Sequence, residues 1–218
     1  LEGHDLSNRL HTRGLGAADA VGLAIRVAEA LASVHELGIV HRDLKPSNIV
    51  IIADPEAGGG ERAKLLDFGV AKLQASGSED GDYRTEVGAI LGTPAYMAPE
   101  QARGEAIDGR ADVYALGVLL HQMVCGRLPF RGDSPTVQLA QHQTTAPPPL
   151  LWEAPGTPQA VSDLVLLMMA KDPRQRPAAG VIAQALERVL EEPLGGGSMA
   201  AAQLSRSGGG SMAAAQLA

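Results

Sequence analysis

Aromatic side chains are scarce in this chain, at 3% of 218 residues: one Trp, three Tyr and two Phe. Its core must therefore rest on Leu, Val, Ile, Ala and Met. Cysteine is nearly absent too. Cys125 stands alone, so no internal disulfide can form, and nothing in the cysteine count suggests a zinc site. It lies in an apolar helical run and reads as a buried structural thiol. No run of about 18 apolar residues occurs, so no membrane span is encoded, and no signal peptide is visible. The expected location is cytoplasmic. An excess of positive charge is also missing. The net charge of −7 argues against a nucleic-acid partner, which would call for a basic surface to displace counterions from phosphates. The chain opens on Leu1 rather than Met and runs at once into structured-looking sequence, which reads as a piece of something longer.

The rest is ordinary for a globular protein: 45% hydrophobic and 20% charged residues. A chain of this length can bury roughly 70% of its unfolded surface in one core. Apolar residues recur at helical spacing from Ala17 to Leu37, and Gly38 follows as a stop. Ile49 to Ile52 are β-branched and predict a strand. The Pro- and Gly-rich stretch Asp54–Gly60 predicts a turn, and Lys64–Leu66 the returning strand of a hairpin. Gln74–Arg84 is polar and predicts a loop. Arg110 to Val124 is apolar over about four turns and predicts a buried central helix. Pro147–Pro149 marks a connector. Pro158–Ala170 and Ala178–Leu190 predict two amphipathic helices. The tail repeats GGGSMAAAQL at Gly195–Leu204 and Gly208–Leu217, so residues 193–218 read as a flexible linker beyond a unit of residues 1–192.

Three segments carry the chemistry. They are His41-Arg42-Asp43-Leu44-Lys45-Pro46-Ser47-Asn48, Asp67-Phe68-Gly69, and Gly92-Thr93-Pro94-Ala95-Tyr96-Met97-Ala98-Pro99-Glu100. A DFG tripeptide alone is weak evidence. In this order and spacing, the three together strongly resemble the eukaryotic-type protein kinases. Ala98-Pro99-Glu100-Gln101-Ala102, Gly132-Asp133-Ser134-Pro135 and Lys171-Asp172-Pro173 through Arg176-Pro177 resemble the bacterial Ser/Thr branch. Small-molecule kinases share a similar Asp and Asn pair but lack the Thr93–Glu100 segment.

Phosphoryl transfer asks for an aligned nucleophile and neutralised charge more than for covalent chemistry. The resemblance implies ATP and Mg²⁺ as cofactors and proteins as substrates. It makes Asp43 the base for the substrate hydroxyl and Lys45 a positive charge for the transferring phosphate. Asn48 and Asp67 become hard oxygen ligands for Mg²⁺, and Gly69 the hinge that aims Asp67. Thr93 would shape the acceptor site by bonding Asp43 and Lys45. Leu1, Asp5 and Val50 fall where the nucleotide binds: the hinge, the ribose and the floor under adenine. Arg42 and Lys72 would hold a phosphate on the activation loop, for which Thr85 is the best acceptor, ahead of Ser76, Ser78 and Tyr83. Structural roles are implied for His41 and Phe68 as stacked spine residues. Glu100 and Arg176 would form a buried ion pair, and Asp112 would accept backbone N–H bonds from the catalytic loop.

The Gly-rich loop, strand lysine and helix glutamate of a kinase are not found in the sequence. Two readings follow: the C-terminal lobe of an active two-lobed kinase whose N-lobe lies elsewhere, or an isolated non-catalytic lobe serving as a binding or scaffold module. Either way the expected fold is mainly α with small β-hairpins, within a parent α+β fold. Such a lobe would leave Val50 and Phe68 on an open apolar face.

Overall fold

The computed structural model describes residues 3–12, 15–55, 60–67 and 93–191. Leu1, Phe68, Gly69, Lys72, Ser76, Ser78, Tyr83, Thr85, the predicted Gln74–Arg84 loop and the tail fall outside them.

Helix α2, Ala17–Glu36, is the axis of the molecule. Its buried residues Ala20, Leu23, Ala24, Val27, Ala28 and Leu31 recur every three or four positions, the stripe a 3.6-residue repeat requires. Its most extensive partner is the last helix, Ala179–Glu191, numbered α8 below, which brings Ala179, Ile182, Ala183 and Leu186 to the contact. Alanines on both faces let the two backbones approach closely. Helix α4, Arg110–Cys125, also packs against α2 and is buried on almost every face, from Ala111 to Met123. That explains its nearly continuous apolar sequence.

Three shorter helices follow. α5, Pro135–Thr144, begins where the Ser134 hydroxyl accepts the Val137 N–H, with Pro135 supplying a helical φ at the first position. α6 is the single turn Leu150–Glu153, and α7 is Gln159–Met168. At the α4–α7 crossing, a Cβ on Gly117 would lie 2.9 Å from Met168 Cβ and Met169 Cγ, so the side-chain-free position is what permits the contact. The sole tryptophan, Trp152 on α6, is 79% exposed.

The β structure is larger than a hairpin. Strand β1, Gly3–Asp5, pairs antiparallel with β2, Ile49–Ala53, which pairs antiparallel with β3, Glu61–Leu65, giving the order β1-β2-β3. Asp5 faces Val50, and Ile49 faces Leu65. The seven-residue helix α1, Leu6–Thr12, follows β1 directly, and its first turn is capped by the Asp5 carboxylate, which accepts the Asn8 N–H at 2.9 Å. The one-turn helix α3, Pro99–Ala102, completes the set. Cys125, expected to be buried, is only partly so, because it sits in the last turn of α4 where the helix emerges from the core. No helix among the described residues is long and apolar enough to cross a membrane.

Candidate active site

Residues 41–48 run between α2 and β2 as a loop, and buried polar contacts hold them rather than a ladder. Asp112, in the first turn of α4 and buried, accepts the His41 N–H at 2.8 Å and the Arg42 N–H at 2.9 Å. Its third partner is His35 Nε2 at 2.8 Å. The Gln101 side chain donates to the Arg42 carbonyl at 3.0 Å and accepts the Ala98 N–H at 3.0 Å, tying the loop to the segment before α3. These bonds bracket Arg42, whose φ of 65° is unfavourable for a residue with a side chain. The loop is thereby forced to turn immediately before Asp43.

The ring of His41 is buried and its tautomer follows from its partners. The Leu66 carbonyl, 2.8 Å from Nε2, can only accept, so Nε2 carries the proton. Nδ1 then accepts the Asp43 N–H, at 3.4 Å. One imidazole thus links the loop to the end of β3.

Asp43 and Lys45 lie side by side, Nζ donating to Oδ2 at 2.8 Å, with side chains 22% and 26% exposed and therefore reachable from outside. Asn48, mostly buried, donates its amide to the Asp43 carbonyl oxygen at 2.9 Å and to Asp43 Oδ2 at 3.2 Å. Both partners are acceptors, so the amide nitrogen must face them and the Asn48 carbonyl oxygen is turned the other way. The antiparallel register brings Asp67 to the same place. Asn48 immediately precedes β2, Leu66 immediately follows β3, and the Leu66 N–H bonds the Asn48 carbonyl at 2.8 Å. Asp67 comes next, exposed, with φ at 51°. An amide oxygen and an exposed carboxylate, carried by these neighbouring backbone segments, are hard oxygen donors of the kind Mg²⁺ takes.

Thr93 lines two adjoining clefts, one holding Asp43 and the other Lys45 and Ser47. Tyr96 stands between them and donates to Gln122; burial pushes its phenol up to about 12. Val50 is half-buried on β2 directly across from Asp5. Glu100 and Arg176 form a fully buried bidentate pair at 2.6 and 2.8 Å. Arg176 also donates to the carbonyls of Ala170 and Arg110, and its guanidinium lies 4.8 Å from the Tyr114 ring centre.

The sequence gives no site role to His35 or Gly109, and names Gln101 only within the Ala98–Ala102 string. A Cβ at Gly109 would come within 2.6 Å of His35 Nδ1, so a bare backbone is what admits the ring that touches Asp112. His35 lies on the helical repeat of α2 and looks like any surface polar residue. Only its proximity to a residue 77 positions away gives it a role.

The protein kinase domain family matches residues 1–189. Among curated relatives, the Ser/Thr protein kinase Pkn1 of Myxococcus xanthus is 42% identical over 179 residues, covering 82% of this chain and 25% of the relative. Pkn2 of the same organism is 40% identical over 85% of this chain and 22% of its own. PknB of Mycolicibacterium smegmatis is 38% identical over 81% of this chain and 27% of its own. The chain therefore spans about a quarter of the length of these relatives. The kinase domain of Mycobacterium tuberculosis PknI, solved as a double mutant, superposes with a TM-score of 0.64 at 23% identity, over 87% of this chain and 64% of that one, a likeness of fold. The chain belongs to the protein kinase domain family, on its bacterial eukaryotic-type Ser/Thr branch.

Proposed function

We propose that this chain is the lower, catalytic-loop lobe of a Ser/Thr protein kinase that moves the γ-phosphate of ATP to Ser or Thr hydroxyls of proteins. The observation that carries the reading is the cluster at Asp43, whose Oδ2 is held by both Lys45 and Asn48. Oriented by these contacts and partly exposed, the Asp43 carboxylate is the group to receive the substrate's hydroxyl hydrogen bond and proton as the hydroxyl oxygen attacks. Lys45, close by and partly exposed, offers its charge to the transferring group. Asn48 and Asp67 would hold Mg²⁺, which supplies neutralisation of phosphate charge. Thr93, shared by the two clefts, borders the acceptor position. Asp5 and Val50, paired across strands, with Leu1 nearby in sequence, form the lower wall for ribose and adenine.

The upper wall has to come from an N-lobe, because the sequence holds no Gly-rich loop followed by a strand lysine. Residues 1–192 are the kinase unit in this reading and residues 193–218 a linker. Regulation runs through Thr85, whose phosphate would pair with Arg42 and Lys72 and order the activation segment. In the two-lobed parent, Asp43→Asn should lower kcat on a Ser/Thr peptide by roughly 100-fold or more while leaving ATP affinity near its starting value. Unchanged kcat would remove Asp43 from the mechanism, and a parent without phosphotransfer would leave the binding-module reading. Thr85→Ala should impair activation by autophosphorylation in the same assay.

A further inference from the structure

Away from the catalytic loop, the last turn of α4 meets the end of α6. His121 and Cys125 are four residues apart on one helical face, and Glu153 comes from the facing turn. One ligand atom from each, a ring nitrogen, a sulfur and a carboxylate oxygen, lies within 4.8 Å of the other two. We propose that His121, Cys125 and Glu153 form a zinc site that fastens the end of α4 to α6, with water at the fourth position.

The geometry is close to what the metal asks. With zinc–sulfur bonds of about 2.3 Å and zinc–nitrogen or zinc–oxygen bonds of about 2.0 Å, a tetrahedral site has ligand–ligand edges of about 3.3–3.6 Å. The edge from His121 Nε2 to Glu153 Oε2 is 3.8 Å and that to Cys125 Sγ is 4.0 Å. Small rotations of the partly exposed Cys125 and Glu153 side chains close the difference.

The tautomer of His121 also fits. Its Nδ1 lies 3.2 Å from the Arg127 carbonyl, which can only accept, so Nδ1 carries the proton and Nε2 presents its lone pair to the other two ligands. A backbone carbonyl on the far nitrogen is the usual support for a metal-binding imidazole.

Arg127 is the competitor. It forks onto Glu153 at 2.7 Å through each of two nitrogens. A carboxylate has about four lone-pair directions, so the fork does not exhaust it. Arg127 itself is exposed and can yield. Zinc displaces the thiol proton of Cys125 to solvent, and the resulting thiolate and the Glu153 carboxylate offset the ion's two charges. Three protein ligands and one open position suit zinc better than Mg²⁺ or Ca²⁺, which take oxygen donors.

Cys125 is the only cysteine, so thiolate signals report on this site alone. The chelator-treated 218-residue chain would be titrated with Co²⁺ and then with Zn²⁺. The expected result is one equivalent of Co²⁺ bound with a thiolate-to-cobalt charge-transfer band and the visible bands of a tetrahedral ion. Zinc should bleach these bands and slow alkylation of Cys125 by iodoacetamide at least tenfold. Cys125→Ser should abolish the charge-transfer band, and Glu153→Gln should weaken cobalt binding tenfold or more. Cobalt bound without a thiolate band, or zinc that leaves alkylation unchanged, would overturn the proposal. If circular dichroism finds Cys125→Ser unfolded, the wild-type band and alkylation rate decide alone.

Discussion

Arg176 has five hydrogen-bond donors and spends them inside the protein, on both oxygens of Glu100 and on the backbone carbonyls of Ala170, Arg110 and Lys171. Replacing it removes a buried charge, strands that of Glu100 and breaks the bonds to three backbone carbonyls at once. Arg176→Met should cost about 3–5 kcal/mol in urea unfolding, by the general behaviour of broken buried pairs. Adding Glu100→Leu to it should recover part of the loss, since no charge is then stranded; a double variant less stable than the single would contradict this account.

His142 makes a pH-dependent contribution of its own. Burial pushes it down to about 4, the Lys171 ammonium adds to the shift, and the backbone of Ala95 opposes it. An unfolded chain holds the ordinary value of 6.5. Between 4 and 6.5 the unfolded state takes up a proton that the folded state refuses. The contribution is therefore complete above pH 6.5 and is lost as pH falls through the window. The melting temperature of wild type should drop more steeply from pH 6.5 to 4 than that of His142→Gln. The variant's slope should flatten without vanishing, because burial holds His121 low as well.

Among the elements, the join between α2 and the first turn of α4 governs the loop at 41–48. His35 on one helix and Gly109 at the start of the other leave room for each other, and Asp112 is aimed between them. Gly109→Ala would push the His35 ring off Asp112 and loosen the carboxylate that holds the N–H groups of His41 and Arg42. Amide hydrogen exchange at those two positions should speed up markedly, with little change at Ala24 or Val27 in the core of α2. Equal protection in both proteins would show that His35 has no part in holding the loop.

The same elements mark how far the sequence could be read. The helices at 17–36, 110–125, 159–168 and 179–191 were legible within two residues at their ends, because each carries a long buried stripe. The helix at 6–12 and the single turn at 150–153 were not, being too short for a periodicity to emerge. Strand β1 was missed because three residues, Gly-His-Asp, have no strand character; pairing with Ile52, Ile51 and Val50 makes them one. At the site, residues with a distinctive local string stood out. His35 did not, and Gln101 stood out only as part of a string, since their contacts arise from folding distant segments together.

At the scale of the whole molecule, one continuous core runs from Leu6 through α2 and α4 to Leu186. It supports the loop at 41–48 from below, and the three-stranded sheet closes one side of it. On the reading proposed above, that frame would keep Asp43, Lys45, Asn48 and Asp67 in order while the rest of the phosphotransfer machinery comes from an N-lobe. The 218-residue chain by itself should give no measurable transfer from ATP and Mg²⁺ to a Ser/Thr peptide in a radiometric assay. Robust turnover that Asp43→Asn blocks would refute this.

Trp152 decides how such experiments can be watched. An indole already 79% in water changes its surroundings little when the chain unfolds, so its emission should lie at long wavelength in both states. A fluorescence melt would report a stable protein as featureless. Tyr114, fully buried and ringed by His142, Lys171 and Arg176, loses a fixed asymmetric environment on unfolding. Near-ultraviolet circular dichroism of tyrosine is thus the signal that follows this fold, while the tryptophan, one residue from Glu153, is left as a local lamp on the end of α6.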